Sequence, residues 1–224
     1  MLYSFWLVVW ILFGILFTPI LNAEPLRYVA VGDSYTIGTG VEAKDNWPSR
    51  LAERLKTSGI ELVLTANLAR AGWTVKQALD REVPALKDLR PEFATLLIGV
   101  NDWIHNGSDR DFKRRLKKLM GGILQEVSHP NRLLVVTIPD FSCSPQGSTW
   151  GYGKSAVNGI TRFNTIIQQE AAARKLRVVD IFELSRQACL QPDMFSEDGL
   201  HPSPEQYMLW VNLIFPAALE LLKN

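Results

Sequence analysis

LRYVAVGDS, residues 26–34, decides the fold. Leu26 to Val31 is a short apolar run of strand length, and it stops abruptly at the small, polar triplet Gly32-Asp33-Ser34. A nearly continuous apolar strand is what burial on both faces of a parallel sheet requires. Outward from this stretch, strand and helix patterns alternate. Trp47 to Thr57 has helical spacing, with Leu51 and Leu55 four apart and Gly59 just past the end. Glu61 to Leu68 reads as a second strand. A helix starts near Thr74, and Pro84 and Pro91 punctuate the connector that follows. Phe93 to Ile98 is a third strand and Asp109 to Val127 a helix. Arg132 to Ile138 is a fourth strand, stopped by Pro139. Lys154 to Arg174 is a long helix, Leu176 to Phe182 a fifth strand, and Ser203 to Leu222 a closing helix.

This alternation predicts an α/β protein: a three-layer α/β/α sandwich around a five-stranded parallel sheet, in the flavodoxin-like order 2-1-3-4-5. No repeat, low-complexity stretch or linker divides residues 24–224, so they are expected to form one domain. Basic and acidic residues nearly cancel, 24 against 23, which gives no electrostatic footprint for nucleic acid.

Residues 1–23 stand apart. Leu2 to Leu21 carry no charge and are mostly Leu, Ile, Val, Phe and Trp, a run of about 20 residues, enough to cross a bilayer as a helix. Ala23 closes Leu21-Asn22-Ala23 with the small residue that precedes a cleavage site. The run is expected to be a cleaved signal peptide or a retained N-terminal membrane anchor. It is long for the first, and no Lys or Arg precedes it. Either reading exports the domain: secreted or periplasmic, or anchored to the membrane by residues 1–23. In an oxidising compartment Cys143 and Cys189 are a candidate disulfide, the alternative being two separate buried thiols. Its loop of about 46 residues would add roughly 4 kcal/mol on the chain-entropy account. No metal-ligand spacing occurs: three histidines are scattered and there is no Cys-x-x-Cys.

In such a sheet, sites form beyond the carboxyl ends of the strands, near the switch in strand order. Gly32-Asp33-Ser34 ends the first strand, Gly72 follows the second and Gly99-Val100-Asn101-Asp102 ends the third. Asp198-Gly199-Leu200-His201-Pro202 follows the fifth. A serine hydroxyl needs a base to become a nucleophile, and His201 is the natural one. Its other ring nitrogen needs an acceptor to fix the tautomer, and Asp198 lies one turn of chain away. The oxyanion of a tetrahedral intermediate needs donors. The amides of Ser34 and Gly72 and the side chain of Asn101 are candidates.

Taken together, these residues resemble the SGNH (GDSL-type) hydrolases. The resemblance rests on Gly32-Asp33-Ser34, Gly72, Gly99-x-Asn101-Asp102 and Asp198-x-x-His201, in that order, and covers residue 26 to about 215. Tyr35 departs from the leucine of the family name. The resemblance implies an acyl-serine mechanism on carboxylic esters with Ser34, His201 and Asp198 as catalytic triad. It implies Ser34, Gly72 and Asn101 as oxyanion hole, and no cofactor or metal. The expected substrate is a small-molecule or lipid-like ester. Trp73 and Trp103, next to the oxyanion residues, are candidate walls of an acyl pocket. Two other functions are compatible with the pattern: an acyltransferase of the same fold that passes the acyl group to a sugar or other alcohol, and a non-catalytic binding domain on a membrane anchor. The complete Ser, His and Asp set argues against the binder.

The remaining features have blander readings. Asp33 and Asp102 are expected to brace their loops. His105 and His129 read as loop and turn residues. The basic run Lys113 to Lys118 is expected to be a solvated helix face, with attraction to anionic lipid headgroups as the sharper alternative. Gly153-Lys154-Ser155 lacks the upstream glycine of a phosphate loop, since position 148 is Ser148. Gly38-x-Gly40-x-x-Ala43 begins too far after the first strand for a dinucleotide fingerprint. The Gly-x-Ser-x-Gly elbow is absent around Ser34.

Overall fold

A computed structural model describes residues 24–149 and 153–223. The expectations for residues 1–23 lie outside the described residues. Five strands form one sheet: β1 (Leu26–Gly32), β2 (Leu62–Asn67), β3 (Phe93–Leu97), β4 (Leu133–Val136) and β5 (Arg177–Val179). All pairings are parallel and the order is β2-β1-β3-β4-β5, the predicted one. Every residue of β3 and β4 is buried, as central strands covered on both faces must be. The edge strand β2 instead alternates, with Val63 and Thr65 exposed.

Ten helices surround the sheet among the described residues: α1 (Ser34–Ile37), α2 (Trp47–Thr57), α3 (Val75–Gln77), α4 (Val83–Leu89), α5 (Val100–Ile104), α6 (Asp109–Glu126), α7 (Pro145–Thr149), α8 (Gly153–Ala172), α9 (Phe182–Gln187) and α10 (Pro204–Lys223). On one side α2 packs against α10, and on the other α6 packs against α4 and α8, giving three layers. Local chemistry sets the ends. Asn46 caps α2 by accepting from the amide of Ser49 at 2.9 Å, and Ser108 caps α6 by accepting from that of Asp111 at 3.1 Å. Helix α6 buries Phe112, Leu116, Leu119, Met120 and Ile123. The basic run therefore lies on its outer side, where Arg114 pairs with Asp111 and Lys113 with Glu170.

Two expectations need correction. Pro84 does not break the chain into a connector. It sits in the first turn of α4, where a missing N–H is tolerated. The turn before it, Ala78–Glu82, widens into a π-helix that joins α3 to α4. The ring of Pro84 would press on the carbonyl four residues back in a regular helix, and the wider turn relieves that. The last two strands are also shorter than their apolar runs. Side chains replace the ladder at their carboxyl ends: Asn164 bonds both the amide and the carbonyl of Ile138, and Thr137 Oγ1 accepts from the amide of Ile181.

The sulfurs of Cys143 and Cys189 are bonded, with 5.6 Å between their Cα atoms. The bridge ties the loop after β4 to the 3-10 turn Ala188–Leu190, which precedes the Asp198–His201 segment.

Candidate active site

At the carboxyl edge of the sheet, β1 ends in a turn with no spare room. A Cβ on Gly32 would stand 2.2 Å from the carbonyl oxygen of Leu97 and 2.3 Å from Thr36 Oγ1, so only glycine lets β1, β3 and α1 meet there. Asp33 caps α1 by accepting from the amide of Tyr35 at 3.1 Å. Capping thus falls to Asp33, and the hydroxyl of Ser34 is not spent on it. Ser34 is 7% exposed, at the floor of a cleft.

Asp198 and His201 form a compact loop. Asp198 Oδ1 accepts from the amides of Leu200 and His201, each at 2.9 Å, and from the hydroxyl of Ser196 at 2.8 Å. Asp198 Oδ2 lies 2.6 Å from His201 Nδ1. The aspartate is both an Asx-turn former and the partner of the imidazole, one oxygen for each. Burial works against its charge, but the bonds from His201, Leu200 and Ser196 outweigh it and hold the carboxyl down at about 2. With Nδ1 engaged, Nε2 is the ring nitrogen left to serve the cleft. Beside the imidazole lie tilted aromatic rings: the Tyr35 ring is 5.5 Å from that of His201 and 6.1 Å from that of Trp210. The Tyr207 hydroxyl donates to the carbonyl of Tyr35. Among the described residues no hydrogen bond joins Ser34 to His201; the two share the wall of one cleft. Such contacts are often long before substrate binds.

The second and third motifs lock together. Asn101 Nδ2 donates to the carbonyl of Trp73 at 2.9 Å, and Asp102 Oδ2 accepts from the amide of Val75 at 2.8 Å. Both side chains brace the Gly72 loop. Gly72 has φ 79°, a left-handed conformation that disfavours a side chain, and the space a Cβ would enter is open. Ser34, Gly72, Asn101 and His201 all line the cleft, as predicted from their places along the chain.

The cleft measures about 150 Å³, and its remaining wall is Tyr35, Ala71, Val100, Ile104, Phe141 and Leu200. Trp73 and Trp103 are not in it, which corrects the expectation that they wall the pocket. At about 100° per residue, Trp103 lies about 200° round α5 from Asn101, whereas Ile104 returns to nearly the same side. The Trp103 ring packs on Phe141 instead, with centroids 5.9 Å apart, and lies over Gly159, where a Cβ would have no room. Trp73 contributes its carbonyl. Sequence reading also missed Ser196, Phe141 and Leu200. Ser196, two residues before Asp198, and Leu200, next to His201, carry a local sign of their place; Phe141 does not.

A model of the GDSL-like lipase/acylhydrolase family matches residues 30–209. The chain belongs to that family. It is an esterase of the SGNH/GDSL type, acting on ester bonds. It is 23% identical over 179 residues to an arylesterase of Vibrio mimicus, covering 80% of this esterase and 81% of the relative. Among solved structures, a lipase/acylhydrolase from Enterococcus faecalis superposes with a TM-score of 0.70 at 22% identity, over 87% of this chain and 96% of the other. An acetyl xylan esterase from Geobacillus stearothermophilus superposes with a TM-score of 0.68 at 15% identity, over 89% and 95%. At these identities the superpositions establish the shared three-layer fold.

Proposed function

We propose that this esterase hydrolyses small carboxylic esters through an acyl-enzyme at Ser34. One observation carries the reading: the Asp198–His201 pair, joined at 2.6 Å through Nδ1, opens onto the cleft that Ser34, Gly72 and Asn101 line. Ser34 Oγ attacks the ester carbonyl and His201 Nε2 takes its proton. The oxyanion is held by the amides of Ser34 and Gly72 and by the Asn101 side chain. His201 then gives the proton to the departing alcohol. A water molecule, deprotonated by His201, attacks the acyl-enzyme and releases the acid and Ser34. Asp198 keeps the imidazole oriented and steadies its charge while it holds the proton.

The cleft supports a short acyl group. Its volume of about 150 Å³ is below the roughly 300–1,000 Å³ of sites that enclose drug-sized ligands. Ala71, Val100, Ile104, Phe141 and Leu200 make its wall apolar, which suits a hydrocarbon tail. The acetyl ester in the name of the Geobacillus relative agrees with that size. A panel of p-nitrophenyl esters of rising chain length tests the reading. The expected result is a rate that falls steeply beyond short acyl chains. A preference for long chains would overturn it. Adding a polyol to the same assay separates hydrolysis from transfer, since a transferase would divert the acyl group to the polyol.

Export belongs to the same reading. The uncharged run Leu2 to Leu21 supports a signal peptide or anchor, and a disulfide suits an oxidising compartment. Fractionating cells that express the full chain, with the N-terminus read by mass spectrometry, tests it. The expected protein is external, with or without residues 1–23; a cytoplasmic location would contradict it.

A further inference from the structure

Two buried carboxyls behind Ser34 take no part in the proposed hydrolysis. Asp33 is 0% and Glu82 1% exposed. Glu82 ends the π turn, and its Oε2 accepts from the amide of Gly32 at 2.8 Å. That amide sits on the β2 side of β1, because the carbonyl of the same residue accepts from Arg70, just past the end of β2. The ladder has run out there, and a side chain from a widened helix takes its place. Asp33 meets the other side of the turn, with Oδ1 accepting from the amide of Tyr35. Asp33 Oδ2 and Glu82 Oε1 have no hydrogen-bond partner among the described residues. No Lys, Arg or His among these residues forms an ion pair with either carboxyl. Two acids buried this way oppose each other's ionisation. An amide side chain could accept from Gly32 without that cost.

We propose that Glu82 is a positioning residue for the nucleophile: from the π turn it clamps the end of β1, and its ionisation, next to Asp33, loosens the turn that presents Ser34. The proposal rests on Ser34 being the nucleophile. Burial pushes the Glu82 carboxyl up to about 8, with the charge of Asp33 adding to it against the Gly32 bond. Burial likewise pushes Asp33 up to about 7, against the bond from the Tyr35 amide and the pull of the nearby Gly99 amide, and with the charge of Asp102 adding to it. Near neutral pH Glu82 is therefore mostly a neutral acid, and a rise in pH puts two like charges on either side of one turn. The other groups facing the pair do not reverse this. On α5, burial raises Asp102, which feels Arg115 of α6 and His105. Tyr35 of α1 and Tyr207 of α10 are held far above the usual phenol value, by burial first, and so keep their protons. Asp198 and Asp140 reach the turn through Tyr35 and add only negative charge.

The test compares wild type, Glu82→Ala and Glu82→Gln, each below its melting temperature, using kcat, KM and the rate at which a fluorophosphonate labels the folded protein. Glu82→Ala removes the clamp. Its kcat and labelling rate should fall at least about tenfold with KM little changed, as a small misplacement of a reacting group does. Glu82→Gln keeps an acceptor for Gly32 and cannot ionise. It should recover most of that loss and flatten the fall of kcat above about pH 8. Equal labelling rates in Glu82→Ala and wild type would overturn the proposal, as would an unchanged alkaline limb in Glu82→Gln. If Glu82→Ala does not fold, the pH profile of Glu82→Gln decides alone. Failure of wild type to label at Ser34 at all would instead sink the assignment of the nucleophile, which separates the two claims.

Discussion

At the residue scale the site is a set of side chains that each answer one chemical need. Ser34→Ala should leave a folded protein without turnover and without fluorophosphonate labelling, read by intact mass and melting temperature. Asn101→Ala should lose about 10²–10³ in kcat if its amide holds the oxyanion. Part of that loss will come through the Gly72 loop, since Asn101 also holds the carbonyl of Trp73. Turnover of Asn101→Ala equal to wild type would remove the residue from the mechanism. These polar residues were legible because short motifs carry their own spacing: Asp198 reaches His201 within one turn of chain. The pocket wall was not legible in the same way. Trp103 neighbours Asn101 in sequence but points off another side of α5, while Ile104, three residues after Asn101, lines the cleft. Phe141 comes from a distant loop, with nothing local to announce it.

At the element scale the strands and their order were legible from apolar runs between turn signals, and their ends were not. Strands β4 and β5 stop early because Asn164 and Thr137 take over their backbone groups, a tertiary event no local run reveals. The π turn was missed for a related reason. In sequence Pro84 reads as punctuation, whereas its neighbours widen the helix and swing Glu82 inward. That inward acid has a thermodynamic consequence. Glu82 and Asp33 are held at about 8 and about 7 in the folded chain, so folding keeps protons that the unfolded chain gives up near ordinary carboxylate values. Stability should therefore fall as pH rises from about 4 to about 8. Asp198 acts with the opposite sign at the acid end: stability from its ionised form is lost as pH falls towards about 2. A series of melting temperatures against pH checks this, and Glu82→Gln should show a shallower decline than wild type. Parallel declines would mean that Glu82 ionises in the folded chain as it does in the unfolded one.

At the scale of the whole molecule, the fold brings four distant loops to one edge of a sheet, and the disulfide secures part of that edge. Cys143 follows the cleft residue Phe141 by two positions, and the loop beyond it meets the Asp198–His201 segment where the Gln146 amide donates to the carbonyl of Gly199. Replacing both cysteines by serine should cost roughly 4 kcal/mol of stability on the chain-entropy account, measured by urea unfolding. Thiol reagents should find no reactive cysteine in unfolded, non-reduced protein. The central claim is that Ser34 carries the acyl group, and acid-quenched p-nitrophenyl acetate turnover followed by peptide mass mapping tests it most directly. The account predicts an acetyl group on the peptide containing Ser34, absent from Ser34→Ala and discharged when wild type is left in water. An acetyl group on any other residue, or turnover of Ser34→Ala at the wild-type rate, would contradict it.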